Sequence, residues 1–130
     1  MKESVLKTLN EARDILDAFI KNPDSVPAIA AAAEIMSASV ADGGKIIACG
    51  NGGSLCDATH FCEELTARFR GNRRALPAIA VNDPAFITCA VNDFEPADVF
   101  KRYVEAVGKS GDVLLAISTS GNSENVLRAA

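Results

Sequence analysis

Apolar residues recur every three or four positions along the first twenty residues. Val5, Leu9, Ala12, Leu16 and Phe19 make one stripe, which Leu6 and Ile20 widen. A helical turn gathers such positions on one face, and charged residues fill the other, so residues 3–20 are predicted as an amphipathic helix. Lys21-Asn-Pro-Asp24 ends it, and Asp24 or Ser25 offers a side-chain oxygen to cap the next helix. Pro27 falls in the first turn, where N–H groups lack intrahelical partners anyway. Residues 26–40 are Ala-rich and apolar almost all round. That pattern is expected of a helix covered on more than one side, by a sheet and by another subunit.

After Asp42-Gly-Gly44 the period changes. Lys45-Ile-Ile-Ala-Cys49 is a short continuous apolar run, predicted as a buried strand. Residues 54–70 follow as helix, Ala78–Val81 as strand, and Pro84–Val91 as a short helix started by Asp83-Pro84. Residues 97–107 carry Val99, Phe100, Tyr103, Val104 and Val107 at helical spacing. Asp112-Val-Leu-Leu-Ala-Ile117 is the clearest strand, and Ser123 opens a final helix over residues 124–130. The order α-α-β-α-β-α-α-β-α, with apolar strands separated by helices, predicts an α/β fold. Its form is a three-layer α/β/α sandwich with a parallel sheet, preceded by two N-terminal helices. The chain of 130 residues is expected to be a single domain, with helices over 1–41 and a core over 42–130. Three strands are few for a doubly wound domain, and the last helix has no stop signal, so the C-terminal part is expected to be missing.

Composition narrows the partners. The net charge is −4, with one Tyr and no Trp. An acidic, aromatic-poor chain has neither the basic footprint nor the stacking platform of a nucleic-acid binder, and no attraction for anionic lipid. No apolar run approaches membrane-spanning length, and the start is not a signal peptide. Cys49, Cys56, Cys62 and Cys89 form no Cys-x-x-Cys pair and lie in or beside apolar runs. They are expected to be buried free thiols of a reducing compartment, hence a cytoplasmic protein.

Two polar loops carry the candidate chemistry. Cys49-Gly-Asn-Gly-Gly-Ser54 and Ser118-Thr-Ser-Gly-Asn-Ser123 each follow a strand and open a helix. Junctions of this kind aim backbone N–H groups and hydroxyls at an anion, most often phosphate. Ser118, Thr119, Ser120 and Ser123 put four hydroxyls within six residues, and Gly121 permits a tight turn. A hydroxyl-rich capped turn remains the simpler alternative. In the first loop Asn51 and Ser54 are polar, Gly52 and Gly53 allow close approach, and Ser54 could serve only as an N-cap. Neither loop has the lysine of a Walker A motif or the spacing of a dinucleotide fingerprint. On the following helix Asp57, His60, Glu64 and Arg68 share the face opposite Leu55, Ala58, Cys62, Leu65 and Phe69. Such a face can simply be solvated. His60 and Glu64, four residues apart, also suit a metal such as zinc, and Glu64 alone could act as a general base. Asn92-Asp93 is either an ordinary turn or a binding pair.

These motifs resemble the sugar isomerase (SIS) domain, and more closely the phosphoheptose isomerases. The matching text is Cys49–Ser54, Cys56-Asp57, His60-Phe61-x-Glu-Glu-Leu-Thr66, Pro77-Ala-Ile-Ala, Asn92-Asp-Phe94, Arg102–Gly108 and Gly111–Ser123. The resemblance implies a flavodoxin-like fold and a cytoplasmic homotetramer with active sites near subunit interfaces. It implies conversion of sedoheptulose 7-phosphate to D-glycero-D-manno-heptose 7-phosphate through an enediol, the first committed step toward the ADP-heptose of lipopolysaccharide and related surface glycans. By position, Asn51, Gly52, Gly53 and Ser54 contact the sugar, Ser118, Thr119, Ser120 and Ser123 hold the phosphate, and Asn92 and Asp93 contact substrate. His60 and Glu64 match zinc ligands, Glu64 being also the proton-transfer base. Leu55 stands where many relatives have His. The family continues past residue 130, where a Gln and a His complete the zinc shell, so the shell is incomplete here and the chain is expected to bind weakly or be inactive. Alternatives within the class are a non-catalytic protein that binds a replication initiator, or a phosphosugar sensor; His60 with Glu64 favours the enzyme.

Overall fold

The computed structural model describes residues 1–130. Its elements are α1 Lys2–Lys21, α2 Ser25–Ala41, β1 Ile46–Gly50, α3 Gly53–Thr66, β2 Ala78–Ala80 and α4 Pro84–Asp93. A 3-10 turn, Pro96–Asp98, then precedes α5 Val99–Val107, β3 Val113–Ile117 and α6 Glu124–Leu127. The chain divides into two compact units, Met1–Ile35 and Met36–Ala130, with the boundary inside α2. No helix is long and apolar enough to cross a membrane.

In the second unit the three strands form one parallel sheet in the order β2-β1-β3. All five residues of β1 are buried, and their side chains alternate between two cores. Ile47 and Cys49 meet Val81, Ala90, Val99, Phe100 and Val126, whereas Ala48 meets Ala58, Cys62 and Ala80. Helix α3 therefore covers one face, and α4, α5 and α6 the other. This is the α/β/α sandwich, in the flavodoxin-like strand order. The chain steps from β1 to β2 on one side and then to β3 on the other. Right-handed crossovers to opposite sides must use opposite faces of the sheet. On the α3 face the contacts are mostly alanines, which lets that helix lie close to the sheet.

Asp112 fastens the amino-terminal edge of β1 to β3. One carboxylate oxygen accepts the Lys45 N–H at 2.8 Å; the other pairs with the Lys45 ammonium and accepts the Lys109 N–H at 2.8 Å. Ser39 Oγ donates to the Gly111 carbonyl at 2.5 Å beside this clamp.

Three element boundaries differ from expectation. Helix α3 stops at Thr66, not 70, although apolar spacing runs on to Phe69. Arg73 explains the stop: its guanidinium donates to the free carbonyls of Leu65, at 2.8 Å, and Glu64. The Leu76 N–H also donates to Leu65 O at 3.0 Å. Asn92 and Asp93 are the last residues of α4 rather than a turn; Asp83 caps the start of that helix, accepting from Phe86 N at 2.6 Å, and its last turn is closed by Phe94 N–H on Ala90 O at 3.0 Å. The final helix keeps only four residues, Glu124–Leu127.

Burial also departs from the sequence pattern. In the first unit the stripe of α1 has no buried residue; Leu9 is 62 % exposed and Leu16 57 %. Along α2 only Ser39 and Val40, both in the second unit, are buried. Cys49 and Cys62 are buried but Cys56 and Cys89 are exposed, against the expectation of four buried thiols.

The Lys45 contacts hold the Asp112 carboxyl down at about 2, below its ordinary 3.8. A depressed folded-state value means the fold favours the ionised form. Its stabilising contribution is complete above the ordinary carboxylate range and disappears as pH falls toward 2. Asp112→Asn is expected to lower the urea midpoint at pH 7, with the gap to wild type closing between about pH 4 and pH 2. A gap that persists unchanged at pH 2 would contradict the assignment.

Candidate functional site

Strands β1 and β3 pair from Ile46 opposite Val113 to Gly50 opposite Ile117, so both end level. The loops that follow them leave the same edge of the sheet as neighbours. With β2 and β3 on opposite sides of β1, that edge is the topological switch point, where open α/β sheets form their ligand crevice.

The first loop is shaped by glycine. Gly50 is buried, and a Cβ placed on it would lie 2.8 Å from the backbone of Ser54, so the first turn of α3 rests on the strand end. Gly52, at φ +54°, precedes the helix in a conformation that L side chains rarely adopt. Its carbonyl accepts Leu55 N–H at 3.0 Å, and the Asn51 carbonyl accepts Ser54 N–H at 3.0 Å. Gly52 and Gly53 supply the leading N–H groups of α3, donors that a helix leaves without internal partners. Ser54 lies inside the helix, buried, and does not cap it, so capping does not account for that residue.

The second loop gathers hydroxyls. Ser118 Oγ donates to Ser123 Oγ at 3.1 Å and lies 3.5 Å from Ser120 Oγ, which accepts Asn122 N–H at 3.1 Å. Gly121, at φ +66°, turns the chain between them, and Thr119 is exposed. Because α6 has only four residues, the hydroxyls and not a helix dipole are what this loop offers an anion. Arg128 braces α6 from behind, donating at 2.9 Å to both Glu95 and Asp98 and at 2.5 Å to Glu124. These three carboxylates raise its already high pKa further.

Asn125, absent from the sequence reading, joins the two loops. Its Nδ2 donates to Asn51 Oδ1 at 2.9 Å, and Asn51 Nδ2 donates to Asn125 Oδ1 at 2.9 Å. Both amides line a cavity of about 190 Å³ with Gly50, Gly52 and Leu55 on one side. Ile87, Val91, Pro96, Val99 and Phe100 make its apolar wall. No motif flags Asn125; its place one turn after Gly-Asn-Ser is the sole sequence signal.

The remaining candidates lie elsewhere. His60 Nε2 and Glu64 Oε1 are 3.2 Å apart on α3, with His60 exposed and Glu64 half-buried. Glu64 is three turns beyond Gly53, roughly 16 Å along the axis, and α3 runs back from the loops toward the other end of the sheet. Neither side chain lines the cavity. Asp57 is exposed, and Arg68, beyond the end of α3, pairs with Asn72. At the end of α4, Asn92 Nδ2 donates to Asp93 Oδ1 at 2.7 Å and Cys89 Sγ to Asp93 Oδ2 at 3.4 Å. That carboxylate raises the Cys89 thiol pKa, as burial pushes Cys49 up to about 11; neither is poised as a thiolate. No group of three or more His, Cys, Asp or Glu converges in the chain. His60 and Glu64 offer two donors, half of a tetrahedral zinc shell, so the residues present do not complete one.

Comparison with known proteins follows the same lines. Residues 9–130 match the family described as SIS domain. The chain is 54 % identical over 129 residues to the phosphoheptose isomerase of Cytophaga hutchinsonii, covering 99 % of this chain and 68 % of that protein. To that of Yersinia enterocolitica it is 56 % identical over 121 residues, covering 93 % and 63 %. Among solved structures, phosphoheptose isomerases from Neisseria gonorrhoeae and Francisella tularensis superpose with TM-scores of 0.90 and 0.91, at 39 % and 37 % identity. Each superposition covers 98 % of this chain and 66 % of the other. The chain thus spans about two thirds of the length of the relatives it matches.

Gly50→Ala is expected to destabilise the fold by about 1–3 kcal/mol, since the new methyl meets backbone that cannot move aside cheaply. Gly71→Ala, which meets nothing within 4 Å, serves as control and is expected to change stability by less than about 1 kcal/mol. Equal urea midpoints for the two variants would contradict the close approach at Gly50.

Proposed function

This chain belongs to the SIS domain family and, within it, to the phosphoheptose isomerases, and from that premise we propose that it acts in converting sedoheptulose 7-phosphate to D-glycero-D-manno-heptose 7-phosphate. The observation that carries this reading is the pairing of two anion-type loops at one switch point, tied through Asn51 and Asn125. In a chain of net charge −4 the phosphate is held by neutral donors: the hydroxyls of Ser118, Thr119, Ser120 and Ser123, aided by the leading amides of α3. Asn51, Gly52, Gly53 and Ser54 contact the sugar from the first loop; Asn92 and Asp93, which do not line the cavity, are further substrate contacts in this reading.

Glu64 is the base. Its carboxylate takes a proton from C1 of the ketose, giving an enediol, and the proton returns at C2 to leave the carbonyl at C1. Glu64 lies roughly 16 Å along α3 from Gly53, and the base beside a given pair of loops comes from a neighbouring copy, in a homotetramer whose active sites lie near subunit interfaces. The bare apolar stripe of α1 and the exposed Val26, Ile29 and Ile35 of α2 support such assembly. His60 and Glu64 are this chain's contribution to a zinc ion whose other ligands come from elsewhere. We place the reaction in the cytoplasm, as the first committed step toward the ADP-heptose of bacterial surface glycans.

Glu64→Gln is expected to lower turnover by about 10²–10⁴-fold while sugar-phosphate binding persists. Ser120→Ala is expected chiefly to weaken binding, by about 1–3 kcal/mol for a hydrogen bond to a charged group. Calorimetry and an aldose assay separate the two. Equal loss of binding in both variants, or no conversion by the unmodified protein with or without a chelator, would refute the reading. Mixing Glu64→Gln subunits with inactive Ser120→Asp subunits, then reassembling, is expected to restore part of the turnover. If mixing restores none, base and phosphate loop belong to one chain.

A further inference from the structure

We propose that Asn125 is a positioning residue that holds Asn51 and locks the two ligand loops into one rigid cradle. The inference rests on the phosphosugar reading above for its ligand, but its structural half stands on geometry alone. Asn51 is held at two points. Its carbonyl accepts Ser54 N–H at 3.0 Å, and its side-chain amide is paired edge to edge with Asn125 by two reciprocal bonds of 2.9 Å.

A primary amide has two donor hydrogens and two acceptor lone pairs. The reciprocal pair uses one of each on Asn51 and leaves one of each free. Those free positions belong to a side chain that lines the cavity, and so does Asn125. Asn51 is thereby turned into an oriented donor–acceptor unit suited to a sugar hydroxyl, which both gives and takes a hydrogen bond. Polarisation through the pair strengthens what remains.

The same pair spans the two strands. Asn51 follows β1, and Asn125 follows the serine loop that leaves β3. No other side-chain hydrogen bond joins the two loops. Without Asn125 the first loop's turn is held less firmly and loses its fixed relation to the hydroxyls, and a ligand bridging both must order them itself.

The test is a double-mutant cycle with sedoheptulose 7-phosphate, read by calorimetry, alongside hydrogen exchange of the ligand-free protein. Asn125→Ala is expected to weaken binding roughly tenfold, the effect of two modest hydrogen bonds. In an Asn51→Ala background the same change is expected to add less than about twofold, because its partner is gone. Asn125→Asp keeps the shape but not the donor, and is expected to weaken binding at least as much as Ala. Exchange at the Ser54 and Leu55 amides is expected to speed up severalfold in Asn125→Ala, with Leu114 and Leu115 unchanged. Multiplying effects, tolerance of Asp, or unaltered exchange at Ser54 and Leu55 would each overturn the proposal. If the wild type binds inorganic phosphate but not the heptose phosphate, the substrate assignment fails, and the cycle run with phosphate still judges Asn125. If it binds neither, the functional reading fails and exchange alone decides.

Discussion

Pairing β3 directly against β1, in parallel and in register to the last residue of each, governs everything the chain can do. Had β2 taken that place, the glycine loop and the serine loop would sit one strand apart, and no single phosphate could touch both. Instead Gly50 stands opposite Ile117, and two loops separated by some seventy residues of sequence emerge side by side. At the far end of the same strands Asp112 grips Lys45 by backbone and side chain, fixing the register from below. A bare glycine at the upper end lets the first turn of α3 settle on the strand.

Function then follows from what the crevice lacks as much as from what it holds. The loops offer amides, hydroxyls and two paired carboxamides, with no lysine or arginine among them. Neutral donors suit an anionic group that must be released after each turnover, since they bind through direction more than through charge. The carboxylate proposed as the base, Glu64, is housed elsewhere, three turns along α3 from Gly53. On the reading proposed above, that separation makes assembly part of the mechanism, with the exposed apolar residues of α1 and α2 as the surfaces proposed for a second copy.

Much of this was legible in the sequence. The three strands, the α/β/α layering and both loops were set by continuous apolar runs punctuated by glycine and serine. What misled was local chemistry with a distant cause. Apolar spacing carried α3 on to Phe69, because the signal that stops it is Arg73, which folds back onto carbonyls eight and nine residues earlier. Ser54 resembled an N-cap because nothing in the sequence reveals that Gly52 turns the chain two residues sooner. Asn125 was passed over because its role exists only once β1 and β3 are neighbours. The stripe of α1 was correctly helical, yet periodicity names a face without saying what covers it.

The most direct test of the central idea is a crystal structure of this chain soaked with sedoheptulose 7-phosphate. The account requires the phosphorus within hydrogen-bonding reach of the Ser118–Ser123 hydroxyls and the sugar chain leaving past Asn51. A phosphate seated away from that edge of the sheet, with both loops empty, would contradict it.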